Sequence, residues 1–277
     1  MRISNPNFNL EQIADSGQCF RMKCINPAEN GSEYALIAFG RYLKLTQIDS
    51  KTVEISCTEQ EFLEVWEDYF DLKYDYSKIV DDLIMGEDDF LKKAAIYGRG
   101  IRILKQEPFE AMISFIISQN KNIPAIKNCI EGICERYGDK IVTDSGKVYF
   151  SFPTPQALSK AKKEDLRALK TGYRDEYIIR ASQAVCNHEL DLKELMRGSF
   201  EDAVSSLKKI HGVGEKVANC IALYGLHHIE GFPVDVWILR VLREIYENQF
   251  DQEQFSGYAG IIQQYMFYYM RYLKGVK

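Results

Sequence analysis

The apolar residues of the first 57 positions fall into short runs, "QCFRMKCI", "EYALIAF", "YLKLTQI" and "TVEISC". They are rich in Val, Ile, Phe, Tyr and Thr. Turn formers separate them at 26–32, at Gly40–Arg41 and at Asp49–Ser50. Residues that suit a pleated surface, interrupted at this spacing, predict an antiparallel meander. The period then changes. In "EQEFLEVWEDYF" (59–70), Phe62, Val65, Trp66 and Tyr69 stand three and four apart, the spacing of one helix face. Helical spacing dominates from there. It covers 108–119, which opens on Pro108 at a first helical turn, then 122–137, 155–161, 163–170, 174–187, 199–209, 214–225, 235–247 and 257–273. "TDSGKVYFSFPTP" (143–155) reads as the long loop, and no repeat of fixed period occurs. The expected architecture is an α+β N-terminal antiparallel-sheet domain over 1–105, followed by a mostly α-helical domain over 106–277.

Composition narrows the class. The chain has 277 residues, 46% hydrophobic and 27% charged, ordinary values for a globular protein of one large or two ordinary domains. No apolar run approaches the roughly 20 residues that span a bilayer. The N-terminal stretch lacks the apolar core of a secretory signal. We therefore expect no membrane association and an intracellular location, in the cytoplasm and nucleoid if the source is bacterial. The seven cysteines form no C-x-x-C pair and lack iron–sulfur spacing, and the four histidines do not interleave with them as zinc ligands. They read as reduced thiols, mostly in the core. The net charge of −5 argues against coating nucleic acid by bulk electrostatics but leaves room for a local grip on a few phosphates. The acidic run 81–89 and the basic run 159–170 read as solvated helix faces.

One stretch carries candidate chemistry. In "LKKIHGVGEKVANCIALYG" (207–225), Gly212 and Gly214 interrupt two helical patterns. Glycines there permit a tight reversal and leave amides uncovered at the start of the second helix. Such amides, with the helix dipole, bind an anion. Read alone, the turn is better taken as a plain helix–helix hairpin. Lys216 follows inside the first helical turn, where the dipole disfavours a cation. If it is also partly buried, both effects favour the neutral, nucleophilic amine. Further on, "GFPVDVWILRVLREIY" (231–246) places Asp235 at a helix start, as a cap or as a carboxylate facing the lysine.

The hairpin, the Gly/Pro loop and the aspartate together resemble the helix-hairpin-helix DNA glycosylase superfamily. The lysine in "HGVGEKVA" is similar to that of its bifunctional branch. "SGQCFRM" (16–22), "SQNKNI" (118–123), "TGYRDEYI" (171–178) and "YAGIIQQYMF" (258–267) resemble, in order, segments of the 8-oxoguanine DNA glycosylase family. The likeness covers nearly the whole chain.

The resemblance implies a helix-hairpin-helix glycosylase domain and a bifunctional enzyme. Such an enzyme flips 8-oxoguanine from duplex DNA, excises it through a lysine Schiff base and nicks the strand by β-elimination. It implies damaged double-stranded DNA as partner, a monomer, and no metal or organic cofactor. By the same resemblance Lys216 is the nucleophile and Asp235 the electrostatic partner. Gly17 (through its carbonyl), Cys220, Gln263 and Phe267 recognise the base. Asn120, Tyr173 and Arg174 fill the stack and read the opposite base, and Gly212 and Gly214 hold a phosphate.

The chain departs from the pattern in three places. His211 stands where proline is usual. Trp237 replaces a histidine, and Ala125 replaces an arginine that reads the orphaned cytosine in eukaryotic members. Two other readings stay open, a monofunctional alkylated-base glycosylase and a catalytically silent helix-hairpin-helix DNA-binding protein.

Overall fold

The computed structural model describes residues 1–143 and 146–276. Five strands form one antiparallel sheet of order β1-β5-β4-β3-β2: β1 (Arg2–Ser4), β2 (Met22–Asn26), β3 (Ser32–Ala38), β4 (Arg41–Gln47) and β5 (Thr52–Ile55). Strands β2 to β5 are the expected meander. The short β1 returns along β5, pairing Ile3 with Val53. Leu43 and Leu45 alternate with half-buried neighbours along β4 and point into a core with Val53, Ile55, Trp66 and Phe70. Helix α1 (Leu10–Asp15), capped by Asn9, seals that core with Leu10 and Ile13.

Two expectations shift here. The run "QCFRMKCI" is strand only from Met22. Before it, Gln18 bonds laterally to the 102–106 segment, accepting from Leu104 N at 2.8 Å and donating to the Arg102 carbonyl at 2.8 Å. Helix α2 (59–69) contains a π turn over Phe62–Trp66. Its apolar face is still the expected one, with Phe62, Trp66 and Tyr69 buried.

The remainder is helical. Helix α3 is Tyr76–Met85, α4 Asp89–Gly98, α5 Pro108–Ser118, α6 Ile123–Tyr137, α7 Arg174–Cys186, α8 Phe200–Leu207, α9 Glu215–Gly225, α10 Val236–Glu244 and α11 Ala259–Leu273. Shorter turns occur at Pro155–Ser159, Lys163–Ala168 and Leu192–Leu195. Helix α5 is apolar on nearly every side and is buried from Glu110 to Ile117, as a central helix must be. Helix α9 packs on it, while α11 packs on α4 and α10. The acidic run 81–89 spans the exposed end of α3 and the start of α4, where Asp88 caps α4.

Residues 140–150 contain a small hairpin, β6 (Lys140–Val142) just before the expected loop and β7 (Val148–Phe150) inside it; positions 144 and 145 lie outside the described residues. Packing parts the chain twice rather than once. Helices α3 and α4 precede residue 105, yet they share a core with the helical body, and Leu104 returns to the sheet core.

Candidate active site

The hairpin is α8, a seven-residue turn and α9. Gly212 takes φ +88°, and a Cβ there would lie 2.2 Å from the Tyr177 ring, so both backbone and space demand glycine. Gly214 differs. Its φ of −89° is open to any residue and nothing lies within 4 Å of its missing Cβ. The expectation of a left-handed turn therefore holds at Gly212 alone. Gly214 is the cap of α9 without a capping side chain, and its bare face leaves room for a ligand to reach the amides. The Gly212 and Gly214 amides donate to no acceptor among the described residues.

Lys216 stands in the first turn of α9 and is exposed, so the condition of partial burial is not met in this structure. Asp235 is half-buried at the cap of α10. Its Oδ1 accepts from Trp237 N and Ile238 N, each at 2.9 Å, and Oδ2 has no partner among the described residues. One carboxylate oxygen thus holds the helix and the other is left without a partner among the described residues. Burial pushes the Asp235 carboxyl above the usual range, opposed by the Ile238 amide, Lys216, the Trp237 amide and Arg271. Cys220, one turn along α9 from Lys216, is buried, and burial lifts its thiol to about 11 against the nearby Lys216 charge. Amine, carboxylate and thiol therefore share one locality. The hairpin turn places the amine at the start of α9, and the 226–234 loop returns the chain to place the carboxylate.

The predicted base-recognition residues gather beside it. Gly17 has φ +77°, and a Cβ there would touch the Phe267 ring at 3.4 Å. Its neighbours' carbonyls are used: Ser16 O accepts from Gln264 Nε2 at 2.7 Å and Gln18 O from Gln106 Nε2 at 2.8 Å. The Gly17 carbonyl accepts from no donor among the described residues. An acceptor held by bonds on both sides and left open is a preorganised reader of a donor. Gln263 is 3% exposed, with Oε1 receiving Tyr224 OH at 3.1 Å and Nε2 donating to Pro233 O at 3.0 Å. These bonds fix the amide and still leave a second N–H on Nε2 and a second lone pair on Oε1.

Asn120 and Tyr173 are exposed, Tyr173 by 54%, and Asn120 sits at φ +47°. Arg174 corrects an expectation. Rather than standing exposed, it is 5% exposed, lies 4.3 Å from the Tyr173 ring centroid and keeps its Nε without a partner among the described residues. Its guanidinium donates to Thr171 O at 3.1 Å and to Gln119 O. Arg174 opens α7, and a side chain there leans back toward the N-terminus, into the notch between the two loops.

Three further residues were not singled out in the sequence. Tyr224 on α9 is buried, stacks on Phe115 at 5.3 Å and bonds both Gln263 and Gln264. Arg271 lies 5.4 Å from the Phe267 ring centroid, donates to Asp15 O at 2.6 Å and acts on the Asp235 charge. Gln264 spans from Tyr224 to Ser16. The available signal was the α11 pattern, in which Gln263, Gln264 and Arg271 interrupt an otherwise apolar and aromatic helix.

The model of the 8-oxoguanine DNA glycosylase N-terminal domain matches residues 1–112, and that of HhH-GPD superfamily base excision DNA repair proteins matches residues 113–254. A Methanothermobacter thermautotrophicus protein named probable N-glycosylase/DNA lyase is 30% identical over 98% of this chain and 96% of its own length. The Saccharomyces cerevisiae N-glycosylase/DNA lyase is 36% identical over 65% of this chain, which spans half of that relative's length. The Clostridium acetobutylicum 8-oxoguanine glycosylase/lyase, solved with double-stranded DNA containing cytosine opposite 8-oxoguanine, superposes with a TM-score of 0.89 at 37% identity. That match covers 97% of this chain and 93% of the other. With both matched regions in sequence order and two of these relatives aligned along nearly its whole length, the chain belongs to the 8-oxoguanine DNA glycosylase family of HhH-GPD base excision DNA repair proteins.

Proposed function

We propose that the protein is a bifunctional DNA repair glycosylase that flips 8-oxoguanine out of duplex DNA, excises it and nicks the strand at the vacated sugar. The observation that carries this reading is the exposed amine of Lys216 beside the half-buried, singly used carboxylate of Asp235. The hairpin amides grip a phosphate next to the lesion. Asn120 and Tyr173 fill the gap in the stack, because an extruded base leaves a few kcal/mol of unstacking to be offset. 8-Oxoguanine carries N7–H, a donor, where guanine has an acceptor. The unused Gly17 carbonyl accepts from the first and repels the second. Phe267 and Cys220 flank the ring, and Gln263 offers the second N–H of its fixed amide to the pairing edge of the base.

The Lys216 nitrogen then bonds to C1′ as the C1′–N9 bond breaks and its electron pair leaves with the base. Asp235 stabilises the oxocarbenium charge that develops between these events. Loss of the ring oxygen from C1′ yields the Schiff base. Loss of a C2′ proton then expels the 3′ phosphate, which is the nick. DNA docked over Lys216 supplies the desolvation that the exposed amine lacks in this structure. One chain carries every group named, so a monomer suffices. Borohydride reduction in the presence of an 8-oxoguanine duplex should trap a covalent complex with the native protein. Lys216→Gln should lose both the complex and the nick while retaining lesion binding. Trapping that persists in Lys216→Gln would mean another amine is the nucleophile.

A further inference from the structure

Three loops converge where the DNA stack would be opened, and all three meet at Gln119. Its side-chain Nε2 donates to the carbonyl of hairpin Gly212 at 3.1 Å and to Ile116 O at 3.1 Å. Its backbone carbonyl accepts from Arg174, which also binds Thr171 O. A second bond joins the same loops: Lys121 Nζ donates to the Lys170 carbonyl at 2.6 Å. Between these ties stand the two exposed side chains, Asn120 and Tyr173. The backbone around them is held in left-handed conformations, at φ +47° for Asn120, +64° for Lys170 and +61° for Gly172. Non-glycine residues adopt that region at a cost and keep it only when the surroundings hold it. Here the surroundings are charged donors on carbonyls, which are stronger than neutral hydrogen bonds.

Resting on the glycosylase reading above, we propose that Gln119 and Lys121 are positioning residues. They tie the phosphate-gripping hairpin and the two wedge loops into one preassembled unit. Asn120 and Tyr173 then enter the duplex together, in register with the phosphate held at Gly212. Preassembly spares the cost of ordering two loops at the moment the base leaves, so the effect belongs to extrusion and not to bond cleavage. Neither residue touches the base or C1′ in this scheme. The tie also gives the buried Arg174 a use: two of its donors hold the wedge loops.

The test separates extrusion from chemistry. Single-turnover excision is measured on a fully paired duplex with 8-oxoguanine opposite cytosine, and on the same lesion inside an unpaired bubble, where the base is already free of the stack. Lys121→Met and Gln119→Leu should each slow excision from the duplex by about tenfold, the scale of one lost charged or well-placed hydrogen bond. Both should act on the bubble at close to the native rate, and Lys121→Arg should restore the duplex rate. Equal slowing on both substrates, or no slowing on the duplex, would overturn the tie. Weaker binding to every duplex with a shallower salt dependence would also overturn it and make Lys121 a phosphate contact. If the native protein excises from neither substrate, the glycosylase reading itself fails and takes the tie with it.

Discussion

At the scale of single residues, Asp235 shows how one side chain serves two ends. Its Oδ1 closes the first turn of α10 while the carboxyl, lifted by burial, stays near Lys216. Asp235→Asn keeps a capping oxygen and removes the charge, so the loss falls on the chemistry. It should raise the excision barrier by roughly 2–4 kcal/mol, the scale for one preorganised electrostatic group. The charge must be present for catalysis, so activity should rise with pH along an acid limb. That limb should lie above the ordinary aspartate range of about 4, and Asp235→Asn should erase it from the pH profile of single-turnover rates.

The base opposite the lesion is also a residue-scale question. Ala125 offers no side-chain donor, and Arg174 is buried, with each terminal nitrogen already donating to a loop carbonyl, Thr171 O or Gln119 O. Each missing bidentate contact removes on the order of 1–3 kcal/mol of discrimination. Cytosine should remain preferred, with a smaller penalty for thymine, guanine or adenine than in relatives that use two arginines. Ala125→Arg should steepen the preference across four duplexes that differ only in that base. A native preference as strict as that of a two-arginine relative would refute this.

At the scale of elements, the two hairpin glycines are not equivalent. Gly212→Ala meets both a left-handed backbone, worth roughly 1–2 kcal/mol, and the Tyr177 ring 2.2 Å from the new methyl. It should lower the melting temperature clearly. Gly214→Ala enters open space at φ −89° and should cost at most about 1 kcal/mol of cap preference. Its main effect should be on DNA affinity, since the methyl would stand where a phosphate approaches. Thermal melts and binding to an abasic duplex would separate the two. The short elements β1, α1 and Leu192–Leu195 were invisible to periodicity because three to six residues do not complete a pattern. Helices α3 and α4 were not delimited, because the acidic run 81–89 masks where one ends and the next begins.

At the scale of the molecule, the sheet and the helical body meet around Glu110, which is 7% exposed on α5 and acts on Cys19 and Tyr69 from the sheet side. Burial lifts its carboxyl to about 8; Arg21 opposes the shift, while Glu107 and Glu131 reinforce it. A carboxyl that keeps its proton in the fold and releases it on unfolding stabilises most at low pH. Its contribution falls as pH rises from the ordinary glutamate range of 4.5 through about 8. Denaturant melts should therefore show stability declining over that window, by up to about 3 kcal/mol at pH 7 from this group. Glu110→Gln should flatten the decline. An unchanged slope would place the titration elsewhere.

Local pattern alone determined much of this protein. Short runs of β-formers between turns named the meander, three-and-four spacing named most helices, and a Gly-x-Gly turn followed by a lysine and a helix-start aspartate marked the candidate chemistry. These are short-range properties, written within one or two turns of chain. The seam and the contacts that gather the candidate base-pocket and wedge residues were decided only by tertiary structure, because they join residues far apart in sequence. Gly17 meets Phe267, Ser16 meets Gln264, and Asp15 meets Arg271 across about 250 positions, and no periodicity records such a meeting. The same holds for burial: Lys216 and Arg174 are both cations at helix starts, yet packing exposes the first and encloses the second. Which of two like charges faces DNA depends on the neighbours that fold around it.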